Sequence, residues 1–360
     1  MFKSASLNQD QISFSSWQEN LRFHYIRGQG HLPRYLFNRL VWHFYPRFHI
    51  LTDFPEHVDL ELSAACNMQC PMCYTITPEF KNQVKKLLME RPLWQKIVRE
   101  CAGGNVFSLR LSLRGEPTLH QDFVEVVRYA KNLGIKEVST LTNALRLTPE
   151  MFAELVDAGL DWLTISADGV GETYERIRRP ARFADLLEKL RAFKKIKRSK
   201  GSLKPVIKVQ TVWPAIQDDP QVYYDTFRPL VDQVSCNQLI DYLWKDLEKG
   251  SIQYKPDFDC HVLYQRLTIG ADGRAMLCVY DELCHDQNGD LNEESIHDVW
   301  HGPALTRARR LHRQHVAVSH YESCRRCPLP RAKEVIGSVK LEGREIWIDQ
   351  LVGRVQEVGK

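Results

Sequence analysis

Cys66-Asn67-Met68-Gln69-Cys70-Pro71-Met72-Cys73 sets three thiols on one short stretch, spaced by three residues and then by two. It follows an alternating segment in which Val58, Leu60 and Leu62 share a face, the pattern of a strand. Three thiolates at this spacing can wrap one compact loop around a metal cluster, and cysteine thiolates are the usual ligands of iron–sulfur clusters. A four-iron cluster has four sites, so three protein ligands leave one iron open to a small molecule. A zinc loop and three packed cysteines are the alternatives. Zinc wants a fourth ligand, and the nearest candidate, His57, precedes the strand.

Outward from this loop the chain alternates between strand and helix patterns. Strands are predicted at 57–62, 106–113, 135–141, 162–166, 206–212 and 233–240. Helices are predicted at 84–101, 120–133, 149–158, 184–197 and 220–230. Gly134 closes the second helix, and Thr148 with Pro149 opens the third. Consecutive strand–helix units require a parallel sheet with right-handed crossovers. The stretch is shorter than the roughly 250 residues of a closed eight-fold barrel, so the expected fold is α/β, a partial (β/α)6 barrel.

Composition sets the bounds around this reading. The chain has 360 residues, 43% apolar and 26% charged, with net charge +4, an excess too small to suggest nucleic-acid binding by the chain as a whole. Residues 21–52 hold five arginines, no lysine and no carboxylate, so the positive excess sits in an N-terminal extension. Pro33 opens a helix there, with Leu36, Phe37, Leu40, Val41 and Phe44 on one face. This helix is expected to pack on the main body with its arginines solvated; a membrane-surface or acidic-partner contact is the alternative. No secretory signal opens the chain and no apolar run reaches the roughly 18 residues of a spanning helix, so a cytoplasmic location is expected. In a reducing compartment ten cysteines imply metal or redox chemistry rather than disulfides.

Two further motifs accompany the first cysteine loop. Arg114-Gly115-Glu116-Pro117 ends the second predicted strand. Cys260, Cys278 and the pair Cys324 and Cys327 form a second, four-thiol set, by chemistry alone zinc or a second iron–sulfur cluster. Between them runs Gly289-Asp290-Leu291, followed by Ile296 and Trp300.

The cysteine loop, its place after a first strand and the Gly-Glu-Pro turn resemble the radical S-adenosylmethionine (SAM) superfamily over roughly 56–245. Arg114 departs from that family's Gly-Gly-Glu-Pro, a minor change if the position contributes only backbone. The second set resembles the SPASM/twitch extension, shortened because no cysteine follows Cys327, as in the sulfatase-maturase and aminocyclitol dehydrogenase group. The resemblance implies a SAM-binding [4Fe-4S] cluster on Cys66, Cys70 and Cys73, and an auxiliary [4Fe-4S] cluster on Cys260, Cys278, Cys324 and Cys327. It implies SAM contacts from Met72, Gly115, Glu116, Pro117, Thr142, Asn143, Ser166, Asp168 and Arg178, with Arg179 as the alternative basic residue.

The implied organisation is an extension (1–55), the radical SAM barrel (56–250), the SPASM/twitch-like domain (251–335) and a C-terminal tail (336–360). The implied activity is reductive SAM cleavage to a 5′-deoxyadenosyl radical and hydrogen abstraction, with oxidation of a sugar, cyclitol or related alcohol. Asp241 is the candidate base, and Gln238 and Tyr242 are weaker substrate contacts. A maturase acting on a ribosomally made peptide is the alternative, and a non-catalytic zinc- or iron-binding protein is a distant one. Flavodoxin or ferredoxin would donate electrons. Cys101 and Cys236 are expected to pack, Cys284 is an alternative ligand, and His312, His315 and His320 are expected on a polar surface.

Overall fold

The computed structural model describes residues 11–84, 88–240, 252–354 and 358. Six parallel strands form its centre: β2 (His57–Leu60), β3 (Ser108–Arg110), β4 (Glu137–Thr142), β5 (Trp162–Ser166), β6 (Val206–Val212) and β7 (Gln233–Asn237). They are adjacent in sequence order, as the strand–helix alternation predicts. β1 (Gln11–Ser13) pairs antiparallel with β7 at one edge, so the extension contributes a strand that the sequence did not announce.

Two helices precede β2, α1 (Trp17–Gly28) and α2 (Leu32–Phe44). Those between and after the strands are α3 (Pro78–Gln83), α4 (Arg91–Gly103), α5 (Phe123–Asn132), α6 (Pro149–Ala158), α7 (Gly171–Ile177), α8 (Phe183–Ser199) and α9 (Pro220–Phe227). The helix expected at 84–101 is corrected. Pro92 lacks an N–H and is tolerated only in a first turn, so α4 starts at Arg91. α6 follows its signals: Thr148 accepts from the Met151 N–H, and Gly159 ends the helix at φ 86°.

The second domain does not stand apart from the barrel. β8 (Arg266–Ile269) pairs parallel with the free edge of β2, and β9 (Arg274–Met276) and β10 (Gln287–Asp290) continue the sheet antiparallel. The stretch expected as a tail forms a hairpin, β11 (Lys333–Leu341) and β12 (Arg344–Leu351).

α1 and α2 cap the N-terminal ends of the strands. Arg27 donates to both carboxylate oxygens of Glu137 at 2.7 and 2.8 Å. Its guanidinium also lies over Trp162, at the start of β5, 4.9 Å from the ring. Asn38 and Arg34 bond Glu56, and the Trp42 carbonyl accepts from Gln265 at 2.8 Å. Two expectations for this helix are corrected. Its buried residues are Tyr35, Asn38 and Val41, while Leu36, Phe37, Leu40 and Phe44 face solvent. Its arginines are not all solvated, because unpaired carboxylates at the barrel's end require partners.

Candidate active site

The first cysteine loop leaves β2 at the C-terminal end of the strand and is fixed by backbone contacts. Cys73 N–H donates to the Cys70 carbonyl at 3.0 Å, and Gln69 N–H to the Arg179 carbonyl at 3.2 Å. Cys66 is exposed, Cys73 half-buried and Cys70 buried, and none is in a disulfide. Burial pushes the Cys70 thiol up to about 11, and the Arg178 cation opposes that shift. His57 is withdrawn as a fourth ligand, since its ring is engaged by Ser108 at 2.6 Å and Asp59 at 3.1 Å.

The Gly-Glu-Pro turn packs directly on this loop. A Cβ at Gly115 would stand 2.4 Å from the carbonyl oxygens of Ser63 and Ala65, so only glycine fits the approach. Glu116 N–H donates to the Ala65 carbonyl at 2.7 Å. The buried Glu116 carboxyl accepts from Thr118 N–H at 3.1 Å and Thr118 Oγ1 at 2.6 Å. It also accepts from Thr142 Oγ1 at 2.6 Å and Asn143 N–H at 2.7 Å. Burial raises its pKa and these hydrogen bonds lower it, with a net rise. Asn143 Nδ2 reaches Asn67 at 2.8 Å and lies 3.8 Å from Cys66 Sγ. Glu116, Thr142, Asn143 and the cysteine loop are thus one connected unit.

Asp168 holds the other side. It accepts from Arg178 Nε at 2.7 Å and from Val212 N–H at 3.0 Å, and is fully buried. Burial alone would lower the Arg178 pKa; the charges of Asp168 and then Cys70 outweigh it and hold the cation. Ser166 is buried beside them at the end of β5, and Met72 is half-buried in the cysteine loop.

Arg114 is more than a backbone position. Its Nε donates to Glu61 Oε1 at 2.7 Å and its Nη1 to the Glu282 carbonyl at 3.1 Å. Glu61 Oε2 also accepts from Ala271 N–H at 3.0 Å. The pair therefore ties the Gly-Glu-Pro turn to the second domain. Glu282 carries a buried carboxyl pushed up to about 8 by desolvation.

Cys260, Cys278, Cys324 and Cys327 line a single interior cavity, and His312 lines it with them. The expectation of a surface His312 is corrected: it is 2% exposed, and its Nε2 lies 3.6 Å from Cys324 Sγ. Leu305, Ala308, Arg309 and His312 share the buried face of the helix Pro303–Arg313, a spacing legible in the sequence. Burial holds the His312 ring down near pKa 4, neutral. Cys284 is not among the residues lining this cavity; Cys101 and Cys236 are fully buried. Gln238 donates to Asp349 of β12 at 2.6 Å. Asp241 and Tyr242 lie outside the described residues.

The donor sets fit polynuclear clusters. Thiolates around one tetrahedral zinc lie about 3.8 Å apart, given Zn–S bonds near 2.3 Å. Among the described residues the one group of three His, Cys, Asp or Glu donors within 4.8 Å of one another is Asp53, His297 and His301. Three thiols on one loop and four lining one cavity are the donors that iron–sulfur clusters take.

The comparisons with known proteins agree with this arrangement. The profile of the Radical SAM superfamily matches residues 60–212, and that of an iron-sulfur cluster-binding domain, SPASM, matches 260–328. A curated relative, the PqqA peptide cyclase of Bradyrhizobium diazoefficiens, is 37% identical over 118 residues, 33% of this chain and 30% of that protein. The chain thus matches less than a third of that relative's length. Two solved structures share the fold. BtrN in complex with AdoMet and 2-DOIA superposes with TM-score 0.52 at 15% identity, over 76% of this chain and 92% of that one. Streptococcus suis SuiB bound to precursor peptide SuiA superposes with TM-score 0.52 at 15% identity, over 86% and 75%. No helix among the described residues is long and apolar enough to cross a membrane. The two domains imply SAM and [4Fe-4S] clusters as cofactors: residues 60–212 match a radical SAM domain and residues 260–328 a SPASM iron–sulfur domain.

Proposed function

We propose that the protein cleaves SAM reductively and oxidises an alcohol of a sugar, cyclitol or related small metabolite. The observation that carries the first half is the joined unit of Cys66–Cys73, Gly115–Pro117 and Asn143. A four-iron cluster with SAM bound would supply the radical chemistry that abstracts hydrogen from substrate. Cys66, Cys70 and Cys73 would hold that cluster. Glu116 fixes Thr142 and Asn143 by hydrogen bonds, and Asp168 fixes the Arg178 cation beside Cys70. Met72, Gly115, Pro117 and Ser166 would complete the SAM pocket.

The oxidative half rests on the second site. Cys260, Cys278, Cys324 and Cys327 would close an auxiliary cluster against substrate, leaving it electron transfer as its chemistry. Loss of a hydrogen atom, a proton and an electron gives a two-electron-oxidised product. Asp241 is proposed as the proton acceptor, and a flavodoxin or ferredoxin as the donor for SAM cleavage. The likeness to a peptide cyclase and to a peptide-bound fold neighbour supports peptide modification as the second reading.

Anaerobic reconstitution tests this. About eight irons per chain are expected, and about four with one zinc would overturn the auxiliary cluster. SAM with a strong reductant should give 5′-deoxyadenosine, and Cys70→Ala should not. Deuterium passing from a C-deuterated aminocyclitol into 5′-deoxyadenosine would support the alcohol reading; transfer only from a peptide would favour the second.

A further inference from the structure

Nineteen large hydrophobic residues are exposed among the described residues, and ten of them lie within 17–50. On α1, Trp17, Leu21 and Tyr25 follow one another at steps of four, 59–70% exposed. On α2, Leu36, Leu40 and Phe44 do the same, flanked by Leu32 and Phe37. Phe48 and Ile50 follow the helix and are also exposed. The opposite faces are apolar too: Phe23 and Ile26 on α1 and Tyr35 and Val41 on α2 are buried against the barrel end. A helix that is apolar on both sides has a second partner. Ten exposed large apolar residues within 34 consecutive positions exceed the singly scattered ones of ordinary monomers.

Charge narrows the choice of partner. Residues 21–52 hold no carboxylate, while Arg22 on α1 and Arg47 in the turn after α2 are exposed. Arg27 and Arg34 are spent on Glu137 and Glu56, whereas Arg22 and Arg47 make no ion pair among the described residues. Aromatic and aliphatic residues next to arginine, with Glu19 as the one carboxylate between 17 and 52 and that one paired with Arg228, match the polar–apolar boundary of a lipid leaflet. Anionic headgroups supply the countercharge, worth a favourable term for each basic side chain near the surface.

We propose that α1, α2 and the turn after them dock this protein on an anionic bilayer surface. The helices cap the N-terminal ends of the strands, whereas the cysteine loop and Gly115–Pro117 follow C-terminal ends. Docked this way, the protein lies on the leaflet with its SAM-binding end turned to the aqueous phase. The contact is peripheral, made by side chains of two short helices, and is independent of which substrate is oxidised.

The test uses full-length, cluster-loaded protein under anaerobic conditions in vesicle flotation. The vesicles are phosphatidylcholine alone, or phosphatidylcholine with phosphatidylglycerol. The protein should float with the anionic vesicles and be released by salt. Leu36→Gln/Phe37→Gln/Leu40→Gln should abolish flotation, and Arg22→Gln/Arg47→Gln should weaken it about thirtyfold. All five positions are outside the buried faces, so melting temperature and 5′-deoxyadenosine formation should stay at wild-type values. Failure to float, or flotation equal on both vesicle types or unchanged in the triple variant, would overturn the proposal. A dimer in solution that the triple variant dissociates would overturn it in favour of a second copy.

Discussion

The Arg114 guanidinium and the Glu61 carboxylate meet at two points, with both side chains wholly buried. Glu61 also accepts from Arg114 N–H and Ala271 N–H, and Arg114 donates to the Glu282 carbonyl. One ion pair therefore joins the SAM-motif turn to the iron–sulfur domain. Removing one partner leaves a buried charge unmatched, so Arg114→Gln should cost roughly 3–5 kcal/mol. Glu61→Gln should cost a similar amount, and the double variant less than the sum. Denaturant titration of the four proteins measures this coupling; strict additivity would show that the pair does not act as a unit.

Gly115 stands where a side chain has no room. A Cβ at this position would meet backbone atoms of 63–65, which cannot swing aside. Gly115→Ala should displace the cysteine loop and weaken SAM binding, measured anaerobically by equilibrium dialysis. Gly134→Ala is the comparison: it meets no atom within 4 Å but sits at φ 90°, so it should lower stability and spare SAM affinity.

His312 puts Nε2 against Cys324 Sγ, and its Nδ1 has no hydrogen-bond partner among the described residues. A donor to a ligand sulfur stabilises the reduced, more negative cluster. His312→Leu should lower the reduction potential of the auxiliary cluster and alter its electron paramagnetic resonance signal. The SAM cluster's signal should be unchanged. Identical potentials in variant and wild type would remove the role.

Glu282 sets a pH dependence. Burial, with Asp281 adding to it and Arg326 and Arg114 opposing, lifts its carboxyl from 4.5 to about 8. The folded protein then keeps the proton where the unfolded chain has lost it. Ionisation favours the unfolded state between these values, so the contribution to stability falls as pH rises from about 4.5 to about 8 and is flat above. Glu282→Gln has no such proton to lose. Its stability advantage over wild type should widen across that window, read from paired thermal melts on the neutral side of it. A constant gap would show that Glu282 titrates in the ordinary range.

Local chemistry was legible in the chain itself. The three-thiol spacing of Cys66, Cys70 and Cys73, the six alternating strands and the caps at Thr148 and Gly159 are short-range patterns. They depend on neighbours within a few residues, which is where side-chain spacing acts directly. The four thiols from Cys260 to Cys327 were grouped by motif, and folding brings them to one cavity.

Whatever depends on distant partners had to wait for the tertiary structure. An arginine reads the same whether it is solvated, like Arg22, or held by a carboxylate 110 residues away, like Arg27 with Glu137. Arg114 read as a lapse from a glycine motif until Glu61 and Glu282 stood beside it. His312 read as surface because the helix face that buries it points at cysteines brought in from elsewhere. The apolar stripe of α2 was visible in the sequence, but its direction was not, since periodicity shows that a face exists and only packing decides what it meets.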